Sequence, residues 1–155
     1  LGKPDNRERN VTTSLALEAE EMERTNLRLQ AKYKEICENE VRFEAVNCDD
    51  ADFVLIAFGS IARVCMSAME IGRKEGLKIG VLRPITLYPF PTLKIQELAK
   101  KAKGILTVEL SAGQMVEDVR LAVNGSIPVE FYGRMGGVVP TPEEVLEQLK
   151  KQLVK

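Results

Sequence analysis

The sequence predicts an α/β fold, a three-layer α/β/α arrangement in which one five-stranded mixed sheet carries helices on both faces and is preceded by a long helix. Three observations predict it. Short apolar runs recur at 53–58, 79–82, 105–110 and 128–132, and most are continuous rather than alternating, as in strands buried on both faces. Between them lie stretches whose apolar residues recur at helical spacing, and this alternation gives parallel strands with crossover helices. The segment Arg42-Phe43-Glu44-Ala45-Val46 behaves differently. It alternates polar and apolar, and the link to the next run is too short for a parallel crossover, so it is expected as an antiparallel strand at an edge.

In chain order, residues 1–11 contain Gly2, Pro4, Asp5 and Asn6 and read as a linker. Residues 12–40 contain no Gly or Pro, and Leu15, Ala19, Met22, Leu29, Tyr33 and Ile36 repeat at gaps of three and four, with Asn26 in the one skipped position. This spacing predicts a connecting helix with a narrow apolar seam that needs a partner. Residues 41–155 form the α/β domain. The strand at 42–46 is followed by the polar turn Asp49-Asp50-Ala51-Asp52 and then by the buried run Phe53-Val54-Leu55-Ile56-Ala57-Phe58. Ile61, Val64, Cys65, Ala68, Met69 and Gly72 mark the next helix, which Gly76 ends. After the strand at 79–82, residues 92–103 are expected to be helical through Leu93, Ile95, Leu98, Ala99 and Ala102, with Gly104 just past the helix end. Ile105–Leu110 is another strand, and Met115, Val116, Val119, Ala122 and Val123 line another helix. After the last strand, Thr141-Pro142-Glu143-Glu144 combines an N-cap Thr, Pro at the first helical position and Glu for a capping box. The crossover rule places the 79–82 strand on one side of 53–58 and the 105–110 strand on the other.

Composition removes several classes of function. Lys plus Arg is 22 and Asp plus Glu is 23, a net charge of -1, which lacks the basic footprint of a nucleic-acid binder. No apolar run is long enough to cross a membrane. His is absent, which excludes His triads, His metal ligands and an imidazole base. Cys37, Cys48 and Cys65 match no zinc or iron–sulfur spacing. The chain opens on Leu1 rather than Met, as expected of a fragment or processed product, and a cytoplasmic setting is expected.

In an open α/β sheet, ligands bind beyond the carboxyl ends of the strands. Candidate anion-binding or interface residues on the loops expected there are Gly59, Ser60, Arg83, Ser111, Gly113, Gln114 and Arg134. Gly59-Ser60 and Ser111–Gln114 each lead into a helix N-terminus, where free N–H groups and the helix dipole favour an anion. The plainer reading makes Ser60 and Ser111 or Gln114 helix caps and the glycines turn residues. Asp49, Asp50 and Asp52 lack the further ligands of a calcium loop and read as a solvated turn. No nucleophile–base pair can be assembled, so no catalytic residue and no metal site is expected in this chain.

Three stretches carry a family resemblance: Gly80-Val81-Leu82-Arg83-Pro84-Ile85-Thr86-Leu87-Tyr88-Pro89-Phe90-Pro91, then Val108-Glu109-Leu110-Ser111-Ala112-Gly113-Gln114-Met115-Val116-Glu117-Asp118-Val119, then Phe131-Tyr132-Gly133-Arg134-Met135-Gly136-Gly137. Together with the acidic helix that runs into Arg42-Phe43-Glu44, they resemble the second domain of the α subunit of ferredoxin-dependent 2-oxoacid oxidoreductases, in particular the 2-oxoisovalerate and 2-oxoglutarate members. The resemblance implies the fold of the transketolase C-terminal domain. It also implies membership of a complex that oxidatively decarboxylates a 2-oxoacid to an acyl-CoA with thiamine diphosphate, Mg²⁺, iron–sulfur clusters and CoA. The implied partners are the other subunits, of β, γ and δ type, a thiamine-binding domain and, through the complex, ferredoxin, together with a homo-oligomeric state. The family's thiamine and cluster motifs are not in this chain, so the resemblance implies a structural and subunit-contact role. The alternative from a different class is a stand-alone module that binds an anionic small molecule or a protein.

Overall fold

The computed structural model describes residues 6–8, 11 and 15–154. The expected linker at 1–11 and the expected helical residues 12–14 therefore lie largely outside the described residues. The chain divides into two compact units, one up to Ile36 and one from Cys37 onward.

Helix α1 spans Ala19–Asn39. It starts later than the seam predicted, because Leu15 to Glu18 are not helical. The Glu18 carbonyl accepts the amides of Glu21 and Met22, opening the first turn. Glu20 and Glu21 then stand where the helix dipole favours negative charge. No residue of α1 is buried.

The second unit contains a five-stranded sheet in the order β1-β3-β2-β4-β5. The strands are β1 (Phe43–Val46), β2 (Phe53–Ala57), β3 (Ile79–Pro84), β4 (Gly104–Glu109) and β5 (Val129–Gly133). β2, β3, β4 and β5 run parallel, while β1 pairs antiparallel with β3 at the edge. The edge position, the central β2 and the placement of β3 and β4 on opposite sides of it agree with the expectation from sequence.

Every residue of β2 and β4 is buried, and period-two alternation sends successive side chains to opposite layers. Leu55, Ala57, Val81, Leu106 and Val108 pack on α2 (Ile61–Lys74) and α5 (Pro142–Leu153). Val54, Ile56, Leu82 and Ile105 pack on α3 (Thr92–Ala99) and α4 (Met115–Val123). Continuous apolar runs thus serve two cores at once, which is why they do not alternate.

The helix boundaries have local causes. α5 begins in a capping box: the Glu144 amide donates to Thr141 Oγ1 at 3.2 Å, the Thr141 amide donates to Glu144 Oε2 at 2.8 Å, and Pro142 follows the cap. α2 ends with Gly76 at φ +88, its amide donating to the Arg73 carbonyl and the Leu77 amide to the Gly72 carbonyl, a paired stop that only a left-handed residue permits. α3 is shorter than the expected 92–103. It ends at Ala99, and Lys101 and Ala102 turn back onto the Leu98 carbonyl. Leu93 is 82% exposed and so lies off the packed face. Gly104 opens β4 rather than closing a helix, and a Cβ there would stand 2.7 Å from Leu153, so the glycine lets α5 approach the strand.

Candidate functional site

The carboxyl ends of β2 and β4 frame a cleft of about 490 Å³. Gly59 and Ser60 enter it from the β2–α2 turn, Ser111 and Gln114 from the β4–α4 loop, and Phe58, Leu87 and Leu110 form apolar walls. Four of the seven candidate residues are therefore brought together. Gly113 is not in the lining. Its φ of +106 is left-handed backbone that favours glycine, at the bend where the loop turns into α4.

The other two candidates are spent elsewhere. Arg83 donates to Glu44 at 2.9 Å, its register partner across the antiparallel β1–β3 pair. Arg134 sits 3.4 Å from the Tyr132 hydroxyl and 3.5 Å from the Glu144 carboxylate, and the contact with Tyr132 raises its pKa further. Neither arginine lines the cleft. Its charged lining residues are Glu109 and Asp118.

Glu109 is the residue that sequence reasoning missed. It is the last residue of β4, only 9% exposed, and its side chain turns back under the start of α4. Its two oxygens accept the amides of Gln114 (3.1 Å), Met115 (3.1 Å) and Val116 (2.9 Å). The Ser111 hydroxyl donates to it at 3.0 Å and itself accepts the Gly113 amide at 3.2 Å. The first-turn amides of α4, which an anionic ligand would use, are bound by a carboxylate of the chain itself. Neither Gln114 nor Ser60 makes a side-chain cap bond; α2 starts without one, and at α4 the role falls to Glu109, which Ser111 supports. The available signal was a lone carboxylate next to last in the predicted strand 105–110, six residues ahead of Met115 in the predicted helix.

The remaining polar clusters serve the fold. Arg73 donates to the Asn47 and Ile79 carbonyls at 2.7 Å each and to Asp50 at 2.6 Å. The guanidinium holds the Asp50 carboxyl below its ordinary value. Asp52 pairs with Lys103 at 3.2 Å. The expected solvated turn is thus tied to both neighbours. Among the described residues no group of three or more Cys, Asp or Glu could hold a metal ion. Cys48 and Cys65 are buried and Cys37 is exposed, with no disulfide.

This lining does not fit a diphosphate. It offers two carboxylates and no cation, and Glu109 fills the nearest set of backbone donors. The dispersed cysteines likewise do not fit an iron–sulfur cluster.

Residues 51–145 match the family model described as pyruvate:ferredoxin oxidoreductase core domain II. The chain belongs to that family. Its fold supports the assignment, since the matched residues run from the turn before β2 into α5. This core domain II is 47% identical over 143 residues to the ketoisovalerate oxidoreductase subunit VorB of Methanothermobacter thermautotrophicus, covering 92% of this chain and 40% of the relative. It is 34% identical over 101 residues to the 2-oxoglutarate synthase subunit KorA of Methanothermobacter marburgensis, covering 65% of this chain and 27% of the relative. The chain therefore spans well under half the length of these relatives. Among solved structures, a 2-oxoglutarate:ferredoxin oxidoreductase from Magnetococcus marinus superposes with a TM-score of 0.76 at 24% identity, over 88% of this chain and 24% of that one. A split-gene transketolase, in an inactive β4 tetramer, superposes with a TM-score of 0.61 at 20% identity, over 71% of this chain and 40% of that one. These two superpositions establish a shared fold, the one the resemblance implied. No described helix is long and apolar enough to cross a membrane.

Proposed function

We propose that this core domain II works as the structural and subunit-contact part of an α-type subunit in a ferredoxin-dependent 2-oxoacid oxidoreductase, acting in the cytoplasm. In that complex a 2-oxoacid is oxidatively decarboxylated to an acyl-CoA. Ketoisovalerate is the favoured substrate, because the relative at 47% identity is a ketoisovalerate oxidoreductase subunit. Thiamine diphosphate with Mg²⁺, iron–sulfur clusters and CoA belong to the other parts of the complex. The proposed partners are the β-, γ- and δ-type subunits, the thiamine-binding domain and, through the complex, ferredoxin, within a homo-oligomeric assembly.

One observation carries the reading of a contact domain rather than a catalytic one. At the carboxyl ends of the strands, where an open α/β sheet offers its ligand site, the amides at the start of α4 are taken by Glu109, and the cleft around them carries a second carboxylate, Asp118, and no cation. What this chain contributes is a stiff sheet with loops held in fixed positions, a surface on which other domains can be oriented.

The test is reconstitution. The purified chain with 2-oxoisovalerate, CoA, thiamine diphosphate, Mg²⁺ and an artificial electron acceptor is expected to give no turnover. The same chain with the remaining parts of the oxidoreductase is expected to assemble and turn over. Turnover by the sequence-verified chain alone, or its failure to join those parts, would defeat the reading.

A further inference from the structure

Resting on that reading, a second cleft indicates where the contact is made. It has a volume of about 910 Å³ and lies between the β3–α3 loop, α3 and α4, with Cys37, Glu38, Val41 and Phe43 forming a further wall. Leu93 of α3 and Leu121 of α4 line it and are 82% and 79% exposed, a large loss for side chains of this size unless another surface covers them. Phe58, Leu87 and Leu110 at the first cleft are 43%, 44% and 41% exposed. The two clefts share a wall at Asp118.

Charge narrows the kind of partner. Around the two clefts, Lys94 is paired with Glu97 and Arg120 with Glu117, and Glu38 is engaged as well. Glu109 is committed to α4. Asp118 has no ion-pair or side-chain hydrogen-bond partner among the described residues. An unspent carboxylate between two apolar clefts complements a cation flanked by apolar side chains. A second copy of this chain does not fit, because a two-fold contact centred here would set Asp118 against its own equivalent. A small apolar molecule would leave one cleft and the carboxylate uncovered.

We propose that the two clefts form one docking surface for a polypeptide segment of the remaining oxidoreductase, a segment that seats apolar anchors in the clefts and a Lys or Arg against Asp118. Most of each relative's length lies outside the region matched by this chain, which is ample polypeptide to supply it.

The experiment uses the assembled complex. A benzophenone amino acid is placed at Leu93 or at Leu110, the complex is irradiated, and adducts are mapped by mass spectrometry. Both positions are expected to label a single segment of the remaining oxidoreductase that contains Lys or Arg. Asp118→Lys is expected to lower both yields at least fivefold with the far-UV spectrum of the chain unchanged. If that variant does not fold, Asp118→Asn and Leu121→Gln replace it, with the same direction expected. Adducts to a second copy of this chain, no adducts in an assembled complex, or yields indifferent to every one of these substitutions would each overturn the docking surface. A wild-type chain that never joins the complex counts against the functional reading instead.

Discussion

The Val116 amide donates to the Glu109 carboxylate across 2.9 Å, joining the last residue of a central strand to the first turn of the helix that follows it. The bond is one of three that this side chain, itself only 9% exposed, accepts from the start of α4. Buried amides without an acceptor are expensive, and a negative group at a helix start is favourable as well.

Removing the side chain should therefore cost more than an ordinary cap. Glu109→Ala is expected to destabilise the domain by about 2 kcal/mol, and Glu109→Gln, which keeps one acceptor and loses the charge, by roughly half of that. Chemical denaturation of the two variants beside the parent measures both. Equal stability of all three would mean that water takes over the capping.

Thiol reactivity should separate the cysteines. Burial pushes the Cys65 thiol up to about 12 and raises that of Cys48 as well. Cys37 is exposed. Since the thiolate is the nucleophile, a native chain treated with a disulfide reagent at neutral pH is expected to titrate one thiol quickly, at Cys37, and the other two only in denaturant. Peptide mapping assigns the site, and rapid labelling of Cys65 would show that α2 opens locally.

Asp50 gives the domain a pH dependence of known sign. Its hydrogen bonds from Arg73 hold its folded pKa below the unfolded one. The pairing therefore contributes its stability above the ordinary carboxylate value of about 4 and loses it as pH falls through the depressed value. Asp50→Ala is expected to melt below the parent at neutral pH, and the gap should close in acid. Melting curves collected from pH 7 down to pH 2 check this, and a gap that widened in acid would contradict the sign.

Hydrogen exchange tests the connector helix. No residue of α1 is buried, whereas β2 is buried throughout. In the isolated chain, amides at 20–36 are expected to exchange well ahead of those at 53–57. Equal protection would mean that the apolar seam is covered without a partner, which removes the reason for reading it as a connector.

The sheet was legible because each strand advertises its surroundings. Phe53 to Ala57 is apolar without a break because two helical layers cover it, and the alternation of Arg42 to Val46 marked a strand, although at the edge Phe43, Glu44 and Ala45 are all exposed and only Val46 is partly covered. Thr141, Pro142 and Glu144 announced the start of α5 because a capping box is built entirely from neighbours in sequence. The candidate site was less legible because its decisive bonds span loops and strands. Nothing local tells that Arg83 will meet Glu44, 39 residues away. Ser60 and Gln114 occupy capping positions by sequence, yet the cap of α4 comes from a side chain on the preceding strand. The early start expected for α1 failed for a related reason. Spacing describes a face, but a helix end is set by local caps and by whatever covers that face.

A helix start that waits for phosphate or a carboxylate metabolite ties folding to the concentration of that solute by mass action. Here the occupant is tethered by the backbone, so its effective concentration is constant whatever the cell contains. Inorganic phosphate and sulfate then have nothing to add at α4 beyond their general effect on water. The start of α4 is thus held by a group that no change of solute can dilute or displace by competition at equal standing.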